Sequence, residues 1–542
     1  MRLEFAHDLV TKELFDELEF SSYCRPFVEK IPMMAEKILR PMESEQRLRD
    51  HFQKLALIDK YVRDTGAIIS ALKEVPALDS LLISYKHQTL GAYQLYLIGE
   101  FLFNAGKVER AEVLQIFYDE KEERQVYSSE EESMLRDFFV HMDFADDIDQ
   151  VLYRYTDEQF QNLRISKKVQ SQISKIDRKI QKLTLKIEQE VLKTTKLKMT
   201  YPYPREVERD DLDESTRKKI EKCDYLNLSK REGGYFVIEF AITEDMIALE
   251  TEKEFLSQEY NKMLEDVLEK ANRELLPEYK TLETYYRKRQ ELAYLYLLVE
   301  KKRTLGLCWP TISSSATDNH LKIIKGRLPI LAAIKAEEGE SYSPSMIDFS
   351  SGANVLFGAN LSGKTTLLKT IYFLLVLTQV GLPVPAKALE CQFPRVVALH
   401  LKSSGNLRAH SSSFSEELEF FSTHLKKMQT AKAAATGGVY LFVDELFHTT
   451  NPLSGVALSE TFISYFTEQR DTCFVCTSHY PEILAIEDCK IFRMSSGDYH
   501  LLPVDRSNLQ WMKSEYTAPL LTASKYTLPL KLLEKIAKSL ET

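Results

Sequence analysis

Apolar residues recur every three or four positions through the first 160 residues, the spacing that gathers them on one face of a helix. The stretches Leu48 to Ile58 and Ala92 to Ile98 are examples. Between Ser166 and Glu190 the register tightens. Val169, Ile173, Ile176, Ile180, Leu183 and Ile187 step by four, three, four, three and four, a heptad seam that predicts a coiled-coil arm. Beyond Tyr201-Pro202-Tyr203-Pro204 and an acidic turn, Gly233-Gly234 opens a β-rich run to Ile242, an island of strand in a helical region. A second helical stretch, about Glu252 to Arg303, follows, and Pro277 should kink or interrupt it. Two long helices flanking a small β insertion describe an arm that runs out and returns. From about Leu321, short β-branched runs alternate with small-residue loops and helices, the pattern of an α/β domain with a mainly parallel sheet. Tyr526 to Lys538 reads as an amphipathic helix, suited to packing or a dimer surface.

With 542 residues, 44% of them hydrophobic, the chain has room for about three or four domains. The pattern divides it into 1–160, helical; 161–304, arm; 305–320, linker; 321–515, α/β; and 516–542, a C-terminal helical segment. The opening residues are acidic where a signal peptide needs an apolar core, and no run approaches the roughly 18 apolar residues of a membrane span. A cytoplasmic protein with no membrane partner is expected. The net charge of −10 disfavours a protein that coats nucleic acid over its whole surface, but leaves room for a local basic face. One candidate face is the arm, where eleven basic residues between Arg164 and Lys198, including Lys175, Arg178, Lys179 and Lys182, meet only Asp177, Glu188 and Glu190. Contact with a nucleic-acid backbone and a solvated coiled-coil face both account for it. Seven cysteines fit reduced thiols. Cys473 and Cys476 form a CxxC, but in an extended run a separation of three sends the sulfurs to opposite faces, which favours buried thiols over a metal or redox pair.

The chemistry gathers in the α/β half. Asn354 to Phe357 reads as a strand running into Gly358-Ala359-Asn360-Leu361-Ser362-Gly363-Lys364-Thr365-Thr366 and then a helix. This is G-x-x-x-x-G-K-T in its proper setting: backbone N–H groups close around phosphates, Lys364 reaches the β and γ phosphates, and Thr365 ligates Mg²⁺. Val439 to Val443 is a second strand ending in Asp444 and Glu445. Asp444 can hold Mg²⁺ through water, and Glu445 can orient and deprotonate an attacking water, which separates a hydrolase from a nucleotide switch. A third apolar strand ends in Thr477-Ser478-His479, placing an imidazole at the same sheet edge as a candidate γ-phosphate sensor. Tyr342 is the candidate for stacking on adenine.

Taken together, these residues resemble the MutS family of ABC-type ATPases. Gly358 to Thr365 is similar to its G-P-N-x-G-G-K-S/T loop, with Asn360 matching the asparagine. His410 to Leu418 resembles its S-T-F-x-x-E signature loop, in which a serine of one subunit reaches the nucleotide of the other; Ser412 matches that serine and Glu417 the acid. Thr477 to Glu482 resembles its T-H-Y-x-E segment, and Ile324 to Ile330 its G-R-H-P-V stretch, with Leu328 in place of histidine. The resemblance implies a multidomain fold: an α-helical core and lever with a coiled-coil arm and small β clamp, followed by a P-loop α/β ABC-type ATPase domain. It implies ATP and Mg²⁺ between the ATPase domains of a homodimer or heterodimer, and a clamp that embraces double-stranded or branched DNA, as in repair and recombination.

Three departures qualify that picture. No counterpart of the family's N-terminal mismatch-reading domain is found, since Phe27-Val28-Glu29 has only the letters of its Phe-x-Glu wedge. Where mismatch-repair members have D-E-x-G-R-G-T-S-x-x-D-G, this chain has Asp444-Glu445-Leu446-Phe447-His448-Thr449-Thr450-Asn451-Pro452-Leu453-Ser454-Gly455. That variant looks more like the MutS-related branch linked to reactivation of cobalamin-dependent aminomutases. The alternative expectation is therefore an ATP-driven protein-remodelling factor with a protein client and no DNA.

Overall fold

The computed structural model describes residues 2–5, 10–27, 31–34, 36–85, 89–118, 128, 131, 133–136, 143–157, 160, 163–165, 167–231, 233–313, 319–358, 362–401, 413–433, 437–494 and 501–504. In chain order they begin with β1 (Arg2–Phe5), α1 (Lys12–Glu17), α2 (Phe20–Cys24), β2 (Glu36–Leu39), α3 (Glu45–Tyr61), α4 (Thr65–Leu72), α5 (Asp79–Tyr85), α6 (Ala92–Phe117) and α7 (Asp143–Tyr155). Next come α8 (Lys167–Thr195), β3 (Arg205–Glu208), α9 (Glu214–Glu221), β4 (Leu226–Arg231), β5 (Tyr235–Phe240), α10 (Glu244–Leu275) and α11 (Tyr279–Leu305). The remainder is β6 (Thr311–Ile312), β7 (Leu321–Gly326), α12 (Pro329–Glu337), β8 (Ser345–Phe349), β9 (Gly352–Phe357), α13 (Lys364–Gln379), β10 (Ala388–Cys391), β11 (Pro394–His400), α14 (Ser413–Ala433), β12 (Gly438–Val443), α15 (Pro452–Thr467), β13 (Thr472–Ser478), β14 (Lys490–Met494) and β15 (Leu501–Pro503). These form two compact units. One comprises Met1–Val75, Asn104–Val140 and Lys288–Thr542; the other comprises Pro76–Phe103 and His141–Arg287, so the division falls inside α6 and α11.

The second unit contains the arm. Ile187 and Val191 of α8 pack with Met246 at the start of α10, while Asp177, earlier in α8, pairs at 2.7 Å with Lys253, later in α10. One helix therefore runs against the other. Both carry heptads: Val169, Ile176 and Ile187 are buried on α8, and Met246, Leu249, Leu256, Tyr260, Met263 and Val267 face inward or are half-buried on α10. Lys253 falls on that seam, and its bond to Asp177 favours one register, the use coiled coils make of a single polar seam residue. The expected strand is β5, found as the middle strand of an antiparallel sheet of order β3-β5-β4. The sequence reading missed β3 and β4, whose Arg-Glu-Val-Glu and Leu-Asn-Leu-Ser-Lys-Arg are too polar to register as strands alone. Phe236, Ile238 and Phe240 of β5 bury the sheet against Ile187, Val191, Ile220 and Met246. The returning helix starts at Glu244, eight residues earlier than expected, with Thr243 accepting the Met246 N–H as its cap. Pro277 lies in a 3₁₀ turn, Leu276–Glu278, between α10 and α11, the interruption its missing N–H predicts.

In the first unit, the stretch expected to be wholly helical opens with strands: β1 pairs in parallel with β2, from Arg2 opposite Glu36 to Phe5 opposite Leu39. Four-residue strands give too few alternations to be read against a helical background. On α11, Arg289 is 1% exposed and makes two 2.7 Å bonds to the fully buried Glu112 of α6. The α/β portion holds a six-stranded sheet of order β11-β12-β13-β9-β14-β15, parallel from β11 through β14 and closed by antiparallel β15. A smaller sheet of order β6-β10-β7-β8 accompanies it. Every residue of β9, β12 and β13 is buried, which is why these segments read as unbroken apolar runs. Cys473 and Cys476 are free, buried thiols of β13, as their spacing predicts. The C-terminal helix expected at Tyr526 to Lys538 lies outside the described residues.

Among the described residues no helix is long and apolar enough to cross a membrane. Removing one member of the Arg289–Glu112 pair leaves the other charge buried without its bidentate partner, a loss of about 3–5 kcal/mol. Glu112→Ala is expected to lower unfolding stability by that order in denaturant melts, whereas an exposed pair such as Arg273–Glu269 should cost under about 1 kcal/mol when broken.

Candidate active site

Parallel pairing brings three strand ends to one edge of the sheet. Cys476 of β13 lies opposite Val443 of β12, so Thr477 follows beside Asp444; Ser478 lies opposite Phe357 of β9, so His479 follows beside Gly358. The chain turns from β9 into α13 through Gly363, whose φ of 92° is in the left-handed region that glycine adopts without strain. Lys364 opens α13 with its side chain 5% exposed, and its Nζ donates to the Gly358 carbonyl at 2.7 Å and to Ser362 Oγ at 3.5 Å. Thr366 is half-buried in the first turn of α13. Ala359 and Asn360 lie outside the described residues.

Asp444 is 8% exposed, and its carboxylate accepts two hydroxyl hydrogen bonds, from Thr365 at 2.7 Å and Thr477 at 2.8 Å. Thr477 Oγ1 also accepts the Glu445 N–H at 2.6 Å. A hydroxyl and a carboxylate at a helix N-terminus are hard oxygen donors of the kind Mg²⁺ takes together with phosphate oxygens and waters, rather than an all-protein cage. Among the described residues no group of three or more His, Cys, Asp or Glu is arranged to hold a metal.

Glu445 and His479 face one another, with Oε1 and Nε2 3.8 Å apart. That is beyond hydrogen-bond reach, and His479 Nε2 is buried without a hydrogen-bond partner among the described residues. Burial first, then the nearby Lys364 charge, hold the imidazole below its ordinary pKa, only partly countered by Glu445. A neutral ring is the result at pH 7. The cluster thus offers a buried ammonium, a carboxylate tied to a hydroxyl, a second carboxylate and an unpartnered imidazole nitrogen, all at the carboxyl ends of parallel strands where α/β sheets bind ligands.

Comparison with known proteins bears on the same region. The family model of MutS domain V matches residues 354–502. Over this stretch the chain is similar to the MutS family. Relatives include the DNA mismatch repair protein Msh3 of Dictyostelium discoideum, 25% identical over 41% of this chain and 15% of that protein, and human Msh3, 24% identical over 38% and 17%. The DNA mismatch repair protein MutS of Bacillus licheniformis is 25% identical over 33% of this chain and 21% of its own length. The matched stretches therefore cover about a fifth or less of these MutS-family relatives.

Several assigned residues fall elsewhere. Ser412 lies outside the described residues, and α14 begins at Ser413. Glu417, on α14, is 2% exposed and its Oε1 accepts the Phe447 N–H at 2.8 Å within the same chain. Phe447 occupies the first glycine of the MutS-family D-E-x-G-R-G-T-S segment, yet its φ is 51°, and that of Glu445 is 54°. Two non-glycine residues in the left-handed region of one turn are uncommon. Tyr480 donates its hydroxyl to the Phe447 carbonyl at 3.3 Å, and a Cβ on Gly455 would sit 2.6 Å from that same oxygen. Tyr342 uses its hydroxyl to accept the Leu328 N–H. Sequence reasoning gave Thr477 and Tyr480 no role. For Thr477 the signal was present in the register of neighbouring strands, which sets it beside Asp444. For Tyr480 only the folded turn reveals it.

Burial raises the Glu417 carboxyl from its ordinary 4.5 to about 7, opposed only in part by the Phe447 N–H. Between those values the folded chain holds a proton that the unfolded chain has released, so this group's contribution to stability falls as pH rises through that window. Glu417→Gln should flatten that portion of the pH–stability curve, checked by thermal melts from about pH 4.5 to about pH 7.5.

Proposed function

We propose that the chain is an ATP hydrolase of the MutS type, working as a homodimer or heterodimer through its ATPase domain, whose nucleotide cycle opens and closes a DNA-embracing clamp. The observation that carries the hydrolase reading is the Asp444 carboxylate held by Thr365 of the phosphate loop and Thr477 of the neighbouring strand, with Glu445 directly after it. In this reading Gly358, Ala359, Asn360, Ser362, Gly363 and Thr366 shape the loop around the phosphates, and Lys364 moves from the Gly358 carbonyl to phosphate oxygens. Mg²⁺, bound by Thr365 and Asp444, would neutralise charge on those oxygens. Glu445 orients and deprotonates water. His479, neutral and with Nε2 unpartnered, contacts the γ-phosphate side of the site. Ser412 reaches the nucleotide of the other subunit. The DNA mismatch repair names of the relatives favour a DNA substrate.

The second unit supplies a surface for it. In this reading α8 and α10 form the lever arm and the β3-β5-β4 sheet the clamp tip. On α8, Lys168, Lys175, Arg178, Lys179, Lys182, Lys186 and Lys193 are all exposed. At 100° per residue they fall in one stripe to the side of the buried seam, about 38 Å long. Neither Lys175, Arg178, Lys179 nor Lys182 makes an ion pair among the described residues. Such a stripe suits a row of backbone phosphates, which any duplex or branched DNA presents. A second reading, remodelling of a protein client such as a cobalamin-dependent aminomutase, is favoured by α10, which carries ten acidic residues against four basic ones beside that stripe.

The deciding experiment is steady-state ATPase activity of the full chain, with and without duplex and branched DNA at two salt concentrations. Glu445→Gln should lower kcat by about 100-fold or more; hydrolysis equal to wild type would remove Glu445 from the mechanism. DNA should stimulate turnover, and neutralising Lys175, Arg178, Lys179 and Lys182 together should reduce the slope of log affinity against log salt by about 3 to 4. Activity indifferent to every DNA tried, with no loss of binding in that variant, moves the assignment to a protein client.

A further inference from the structure

The turn that carries Glu445 is closed by the His448 N–H on the Glu445 carbonyl at 3.1 Å, and its further anchors come from other elements. Phe447, two residues on, is fully buried, and its ring packs against Phe414 and Phe421 of α14, at centroid distances of 6.2 and 5.6 Å, and Phe462 of α15, at 4.9 Å. Its N–H goes to Glu417 of α14 and its carbonyl accepts from Tyr480. Since Phe447 and Glu445 both have positive φ, the direction of the Glu445 side chain depends on where the Phe447 peptide is pinned. Of these five anchors, three (Phe414, Glu417 and Phe421) come from α14 before the end of that helix's third turn, and α14 opens directly after the segment assigned to the other subunit's nucleotide.

We propose that Glu417 is a positioning residue for hydrolysis: through the Phe447 N–H it sets Glu445 in line with water, so that a shift of α14 alters turnover in its own subunit. This rests on the reading of Glu445 as the water-activating residue. It gives the signature acid a task inside its own chain, separate from the contact assigned to Ser412. Nucleotide binding is not its business, because Lys364 bonds to Gly358 and Ser362, and Asp444 to Thr365 and Thr477, none of which lies on α14. The effect therefore belongs in kcat and not in KM.

The test compares full-length wild type, Glu417→Ala, Glu417→Gln and Tyr480→Phe in ATP hydrolysis with Mg²⁺, each checked by thermal melting, with Glu445→Gln as reference. Glu417→Ala should lose about 10- to 100-fold in kcat with KM for ATP changed less than about threefold, the split expected when an interaction serves only the chemical step. Glu417→Gln, whose amide oxygen can accept the same N–H, should recover most of that activity. Tyr480→Phe should fall in between. Should Glu417→Ala fail to fold, the other two variants still decide: unchanged kcat in Tyr480→Phe together with a Glu417→Gln loss as large as that of Glu445→Gln overturns the proposal. It is equally overturned if Glu417→Ala folds and keeps wild-type kcat, or loses activity entirely through KM. Full activity in Glu445→Gln is a different failure, since it removes the hydrolytic reading on which the proposal stands.

Discussion

A carboxylate at the end of a buried strand is tolerated only where it is answered, and Asp444 is answered by two threonine hydroxyls from two other elements. That requirement organises the sheet edge. Thr365 can reach Asp444 only if the turn through Gly363 sets α13 over the strand ends, and Thr477 only if β13 lies between β9 and β12. The same adjacency sets His479 beside Gly358 and Lys364. Strand order, loop conformation and the charge pattern of the site are thus one constraint expressed three times.

The turn that follows has its own balance. A left-handed residue with a side chain costs about 1–2 kcal/mol, so Glu445 and Phe447 together set roughly 2–4 kcal/mol against the turn. Hydrogen bonds return about 1 kcal/mol each, and about 1.5–3 when one partner is charged. Bonds from Thr477, Glu417 and Tyr480 are therefore of the same size as the strain they oppose. Glycine would remove part of the strain at Phe447, but would also remove the ring that ties the turn to α14 and α15. In exchanging glycine for phenylalanine the chain makes the geometry of its second acid depend on neighbouring helices.

Much of this was legible before folding, because the strongest signals are local. The loop from Gly358 to Thr366 announces itself by glycine spacing between an apolar strand and a helix, and the seam from Val169 to Ile187 by its period. β5 was read because Tyr-Phe-Val-Ile-Glu-Phe is apolar by itself, whereas β3 and β4 acquire their conformation from pairing with it. Pairing partners are invisible in one sequence. The same limit applied at the site: Asp444, Glu445 and His479 stood out as residue types at strand ends, but Thr477 and Tyr480 matter through neighbours 33 residues away along the chain. Glu417 was recognised from its motif, yet its burial against the Phe447 N–H depends on tertiary packing that no motif encodes.

The arm sets two opposite charge patterns side by side. α8 carries eight basic and three acidic residues, α10 ten acidic and four basic, and they pack along a common seam. Packed helices lie about 8–10 Å apart, which is close to the Debye length at physiological ionic strength, about 8 Å. Beyond that distance the two patterns largely cancel, so an approaching polyanion is not steered from afar as it would be by a uniformly basic arm. Attraction begins only when it meets the α8 side, where the exposed lysines and Arg178 point away from the seam. On the clamp reading, this makes capture by the arm a matter of contact geometry: whatever the nucleotide cycle does to the arm's position decides which side a duplex meets.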